Sequence, residues 1–262
     1  MYGTVRRMVS ACTQLVVMTQ NSRRILLGDY HADEDKVMVI PHGTHLVSFR
    51  DKNKLKDFYQ LSGRRVLSTF GLLSPGKSIE TTLDALPAIV EANPSVIFLI
   101  IGKTHPGVLR VEGEKYRNFL EAKIKELGME DYVLFINQYL ELPVLLEYLQ
   151  LTDVYLFTSS DPHQAVSGTF VYAVSCGCPI IATPIPHALE LLSDDSGIIF
   201  DFKNSVQLSE AANRLLADEK LRVEMKLVGL QKTAATAWEN VAIAYAYLFQ
   251  KVGKVEEELV YS

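Results

Sequence analysis

Two short stretches carry the residue types from which a phosphate site can be built. One is Gly71-Leu72-Leu73-Ser74-Pro75-Gly76-Lys77. Glycine there lets a backbone approach a ligand closely, Ser74 adds a hydroxyl, and Lys77 supplies a point charge. The other is Asp161 to Pro179, DPHQAVSGTFVYAVSCGCP. A polar loop runs into small and apolar residues that read as a helix, with Ser167, Gly168 and Thr169 at its start. Ser167 can cap that helix. The free N–H groups of its first turn, with the positive end of the helix dipole, suit a phosphate. Each stretch also has a plainer reading, because most helices need a cap and a lysine after a turn can simply be solvated.

Two further loops have a similar character. Gly102-Lys103-Thr104-His105-Pro106-Gly107 combines glycine, a cation and hydrogen-bonding groups, and His105 either meets a ligand or faces solvent. Asn137-Gln138-Tyr139-Leu140 is polar and aromatic, able to face a base or a sugar. The Lys77 loop is not a Walker A loop, because its glycines are wrongly spaced. Asp161, His163 and Ser167 invite a hydrolytic triad, but they crowd one loop and Ser167 lacks a Gly-x-Ser-x-Gly elbow.

The elements that would position these loops are legible from patterning. Continuously apolar runs at Arg65–Phe70, Val96–Ile101, Tyr132–Ile136, Val154–Thr158, Ile180–Thr183 and Ile198–Phe200 read as buried strands. Helical patterns separate them at Ser78–Ala92, Tyr116–Leu127, Leu142–Gln150, Gly168–Cys176 and Ala188–Leu192. Strands buried on both faces and spaced by helices predict an α/β fold, a doubly wound parallel sheet of Rossmann-like type. All four loops then fall at the carboxyl edge of one sheet, where such folds bind ligands. Upstream, Leu15–Thr19 and Lys36–Ile40 read as strands and Asn21–Gly28 as a helix. Residues 44–62 read as a connector. Helices follow at Ser205–Asp218, Glu219–Gln231 and Trp238–Val252, then a frayed tail from Lys254.

Composition narrows the function classes. Of 262 residues, 48% are hydrophobic and 22% charged, and the formal net charge is −5. A nucleic-acid backbone is thus an unsuitable partner. No apolar run is long enough for a membrane span, and the opening stretch MYGTVRRMVSACTQ does not read as a signal peptide. Cys12, Cys176 and Cys178 form neither a zinc pattern nor a disulfide framework, and they read as reduced thiols of a cytoplasmic protein.

The succession VIPHG, GLLSPGKS, a strand ending in IG, TDVYLFTSS and AVSCGCPIIAT resembles the C-terminal half of retaining GT-B glycosyltransferases of the group-1 family. The resemblance implies four parts: residues 1–43 as a remnant of an N-terminal domain, 44–62 as connector, 63–235 as a nucleotide-sugar-binding domain and 236–262 as a crossover helix and tail. It implies transfer of a sugar from a nucleotide-diphosphate sugar to an acceptor hydroxyl of a sugar or glycan. It also implies no metal, no separate cofactor, and dependence on a missing N-terminal domain for activity. Aligned on Ala173 and Gly177, the family's paired glutamates fall on Gln164 and Tyr172, so the chain resembles a variant branch lacking the Glu pair. The family's Arg–Lys diphosphate clamp falls on Leu72 and Lys77, and the stretch whose backbone amides hold the distal phosphate falls on Val166–Thr169. A non-catalytic nucleotide- or sugar-binding domain, or an epimerase or phosphorylase relative on the same fold, are the alternatives. Residues 1–43 and the Trp238 helix are expected to show apolar faces to the missing part.

Overall fold

The computed structural model describes residues 2–193 and 195–260, with residues 254–260 as backbone alone. The chain starts with α1 (Tyr2–Ala11), β1 (Leu15–Val17), α2 (Gln20–Gly28) and β2 (Val37–Val39). Next come α3 (Lys52–Phe58), β3 (Arg65–Phe70), α4 (Glu80–Ala92), β4 (Val96–Ile101), α5 (Pro106–Glu112), α6 (Lys115–Glu126) and β5 (Val133–Ile136). The second half contains α7 (Leu142–Leu151), β6 (Val154–Phe157), α8 (Gly168–Ser175), β7 (Ile180–Ala182), α9 (Pro186–Leu191) and β8 (Gly197–Ile199). It ends in α10 (Ser205–Ala217), α11 (Glu219–Ala234) and α12 (Trp238–Val260).

Strands β3 to β8 form one parallel sheet in the order β5-β4-β3-β6-β7-β8. The chain winds outward from β3 through β4 to β5, then crosses to the other flank of β3 and continues through β6 to β8. Winding reverses between β3 and β6, so their carboxyl ends leave a crevice. Side chains alternate strictly between the two faces. Leu67, Phe98, Ile100, Val154 and Leu156 point into a core with α4, α6 and α10. Val66, Leu99, Ile101, Tyr155 and Phe157 point into a second core with α3, α7, α8 and α9. Burial on both faces is why these strands read as unbroken apolar runs.

The outer pieces form a smaller body. β1 and β2 pair in parallel. One side is covered through Val9, Ala32 and Val37, the other by α12 through Ile40, Val241 and Leu248. Met18, Ile25, Ile243, Tyr247 and Phe249 stay exposed there. No helix among the described residues is long and apolar enough to cross a membrane.

Some boundaries depart from the sequence reading. Residues 51–62 do not merely connect, since Leu55 and Leu61 are buried in the second core. Pro106 and Gly107, read as the end of a loop, open a helix that runs to Glu112, because Pro106 stands at its first turn and the His105 ring caps it. Pro186 likewise starts α9 earlier than its apolar pattern suggests. Helix α12 runs on to Val260, and the last two residues of the tail lie outside the described residues.

A buried ion cluster ties the amino ends of β3 and β6 together. Asp153 accepts from Lys56 Nζ at 2.5 Å, from Lys52 Nζ at 3.3 Å and from the Val66 N–H at 2.7 Å. Burial pushes the Asp153 carboxyl up, but the two lysines and the N–H outweigh it and hold the group below its usual range.

Candidate functional site

The site is built from loops that are zipped to one another beyond the strand ends. The Gly71 N–H donates to Ile101 O at 2.9 Å, Leu73 N–H to Lys103 O at 2.8 Å and His105 N–H to Leu73 O at 2.8 Å. The loops after β3 and β4 therefore move as one piece. The loop after β6 is joined to them as well: Ser160 N–H donates to Gly76 O at 3.0 Å and Thr158 Oγ1 to Lys77 O at 2.6 Å. Below them the fully buried Tyr155 hydroxyl lies 3.3 Å from both the N–H and the carbonyl of Phe70, pinning β3 just before Gly71.

Gly71 and Gly102 make this approach possible. Both have φ in the left-handed half of the map, +135° and +130°. A side chain on Gly102 would run into the Gly71 carbonyl. A Cβ on Gly71 would lie 3.2 Å from Lys77 Nζ and 3.2 Å from the Thr169 methyl. Lys77 and the start of α8 thus converge on one point of the rim. The Lys77 ammonium is half-buried, 5.7 Å from the centre of the Phe157 ring, and has no hydrogen-bond or carboxylate partner among the described residues. Burial alone lowers its pKa.

At the start of α8 the caps are more elaborate than the sequence suggests. Ser167 Oγ accepts from Phe170 N–H at 3.4 Å and lies 3.1 Å from Thr169 Oγ1. The Ser167 N–H is not free, because it donates to His187 Nδ1 at 3.0 Å. The Gly168 and Thr169 N–H groups have no protein partner among the described residues, leaving two open donors in the first turn. The His42 ring closes over them from the β2 side, with Nε2 2.9 Å from where a Gly168 Cβ would stand. A His42 Nδ1–Gly43 O contact of 2.8 Å makes Nδ1 the donor and leaves Nε2 facing α8.

His187 is buried, and that burial pulls its pKa down to about 4. Glu190 opposes the shift and His42 adds to it. The folded-state value lies below that of the unfolded chain. The associated stability is therefore complete above pH 6.5 and is lost as pH falls toward 4. Acidification over that window is expected to remove about 3 kcal/mol. In His187→Asn, whose amide oxygen can still accept the Ser167 N–H, urea unfolding should show a flatter slope across the same window.

Beside Lys77 lies a cavity of about 350 Å³. Gly71, Gly102, Lys103, Gln138, Thr169 and Tyr172 from the sequence reading all line it, with His45, Phe70, Tyr139 and Leu140. Its lining combines apolar side chains such as Phe70, Ile101 and Leu145 with a few polar groups, the pattern of a small-molecule pocket. The Tyr172 hydroxyl is 3.3 Å from His45 Nε2, and burial raises its pKa.

The other residues singled out earlier stand apart from the cavity. His105 is exposed, and its Nδ1 accepts from Gly107 N–H at 3.0 Å as the cap of α5. Gln164 is held inside its own loop, accepting from Ser159 Oγ at 2.6 Å and donating to Val166 O at 3.3 Å. Val166 contributes that carbonyl and is half-buried. Ser74 precedes the short turn carrying Lys77, accepts the Lys77 N–H on its carbonyl at 2.9 Å, and makes no side-chain cap. His42, His45 and His187 escaped the sequence reading. The two former lie three apart just beyond a strand end, which is the one signal that could have marked them.

A family model described as glycosyl transferases group 1 matches residues 51–229. D-inositol 3-phosphate glycosyltransferase of Thermomonospora curvata is 26% identical over 249 residues, covering 89% of this chain and 56% of that protein. The chain spans about half the length of the curated relatives it matches. Among solved structures, HepE of Anabaena in complex with UDP superposes with a TM-score of 0.78 at 20% identity, over 92% of this chain and 64% of that one. Sucrose-phosphate synthase of Thermosynechococcus elongatus gives a TM-score of 0.83 at 20% identity, over 97% and 62%. At such identities the likeness shows a shared fold.

Proposed function

The chain belongs to the group 1 glycosyl transferases, and from that premise we propose that it is the donor-binding half of an enzyme that transfers a sugar from a nucleoside diphosphate sugar to an acceptor hydroxyl, with retention of configuration. The observation that carries this reading is the unpartnered Lys77 ammonium, brought to Gly71 together with the open first turn of α8. A cation drawn partly out of water without an anion is unfavourable. Two free N–H groups at a helix start are unsatisfied as well. One diphosphate relieves both, and the nucleoside extends into the cavity toward Tyr172 and Gln138. HepE was solved with UDP and with UDP-glucose, which supports a ligand of this class.

In this reading the diphosphate is the leaving group. Lys77 and the Gly168 and Thr169 amides take up the charge that develops as the glycosidic bond breaks. Gln164 meets the sugar through its remaining amide hydrogen rather than a carboxylate. The acceptor enters from a further domain facing the His42 side. Calorimetry with UDP, GDP and ADP tests the core of the proposal. Lys77→Ala is expected to weaken the bound diphosphate by about 2 kcal/mol, the value of a charge-assisted bond. Because burial has lowered the Lys77 pKa, binding at alkaline pH should also take up protons, visible as an enthalpy that varies with buffer. Absence of binding, or equal affinity in the variant, defeats the reading.

A second reading is a nucleotide-binding domain without transfer. The observation in its favour is that neither Gln164 nor Tyr172 offers a carboxylate, and Gln164 is committed to its loop. A product assay on a longer chain carrying the acceptor half decides: sugar transfer removes this second reading.

A further inference from the structure

On the opposite rim, at the amino ends of β3 and β6, lies another cavity, of about 330 Å³. Five cations line it, Lys52, Lys56, Arg65, Arg222 and Lys226, against two carboxylates, Asp153 and Glu219. That excess of positive charge stands out in a chain whose formal net charge is −5. Asp153 is already spent on Lys52 and Lys56, and Glu219 is exposed at the start of α11.

Three cations remain without an anion among the described residues, and two of them are fixed. Arg222 is only 8% exposed. Its guanidinium donates to the Leu215 carbonyl and, at 2.9 Å, to the Leu216 carbonyl. Both are carbonyls of the last turn of α10, so the guanidinium caps that helix at the negative end of its dipole and still has no carboxylate partner among the described residues. Lys226 is laid across Gly177, where a Cβ would stand 2.9 Å from its stem, and its ammonium sits 4.7 Å from the centre of the Phe49 ring. Arg65 is exposed and unpaired. It and Lys52 both act against the charge on Lys56, whose pKa burial lowers first of all. Positioned cations of this kind cost stability while the cavity holds no anion, and each gains when one enters.

We propose that this cavity binds a small molecule bearing a phosphate monoester dianion. Two guanidinium groups and an ammonium match the tetrahedral oxygens of that group, and the volume suits a small ligand rather than a polymer. The inference does not rest on the nucleotide reading, since none of these residues takes part in the Lys77 rim.

The test uses the Lys77→Ala chain, so that phosphate cannot report on the other rim. Inorganic phosphate and a hexose 6-phosphate are titrated separately by calorimetry at constant ionic strength. Binding at millimolar concentration or tighter is expected. Loss of two charged contacts in Arg65→Gln/Lys226→Gln, both surface side chains, should weaken it at least about tenfold. Circular dichroism checks that the fold is kept. Tighter binding of the hexose phosphate identifies a phosphorylated metabolite as the ligand, and equal binding identifies free phosphate. No heat with either probe, or an affinity unchanged in the double variant, overturns the proposal. UDP binding to the unmodified chain reports on the nucleotide reading by itself.

Discussion

Gly102→Ala is expected to destabilise the protein by about 4 kcal/mol, the sum of a strained left-handed backbone and an overpacked contact. The contact is with the Gly71 carbonyl, a backbone atom that cannot swing away as a side-chain end would. Gly71 in turn donates to Ile101 O at 2.9 Å, so yielding there parts the loops after β3 and β4. The lesion should therefore reach the Lys77 corner as well as the fold. Urea unfolding gives the stability, and UDP calorimetry on whatever remains folded gives the site. Gly63→Ala is the control: φ is +72° but the space around it is open, so only a loss of about 1 kcal/mol is expected. If the two variants lose equal stability, the close approach of the two glycine loops is not what holds this rim together.

Asp153→Ala should cost about 4 kcal/mol, because it leaves Lys56 buried with no counter-charge and removes an acceptor from the Val66 N–H. Burial wins at Lys56, which also faces Lys52 and Arg65, whereas at Asp153 the two lysines and the N–H win over burial. The folded-state pKa of Asp153 is thus lowered. Its contribution is fully present above the ordinary carboxylate range and drains away as pH falls through the lower folded value. Wild-type stability should drop steeply in that acid window, and Asp153→Ala should not share that part of the drop. Adding Lys56→Met to the variant should restore stability, since it removes the orphaned cation. A double variant no better than Asp153→Ala alone would refute this account.

Much of the scaffold was legible because its strands are buried on both sides. Runs such as Val96–Ile101 and Val154–Phe157 leave no polar alternation to confuse them with surface structure. The carboxyl-edge position of the loops followed from the parallel order alone. What patterning could not show was the pairing of side chains across distant segments. Nothing local to Ser167 reveals that His187 takes its N–H, or that His42 will sit over Gly168. His105 showed the opposite problem: a polar residue next to proline serves equally as a helix cap, and the cap is what forms. Residues 44–62 read as a connector because polar and charged residues dominate them, yet Leu55 and Leu61 suffice to anchor the stretch in the core.

The strand order has a bearing on how the chain comes off the ribosome. β3 meets β4 early, but its other flank is reserved for β6, which follows only after β4, β5 and the helices between them. Until then β3 has an open ladder edge, where a neighbouring nascent chain can pair. Such non-local pairing is slow to form, so yield during expression should depend on synthesis temperature and chaperone supply more than on the stability of the finished fold.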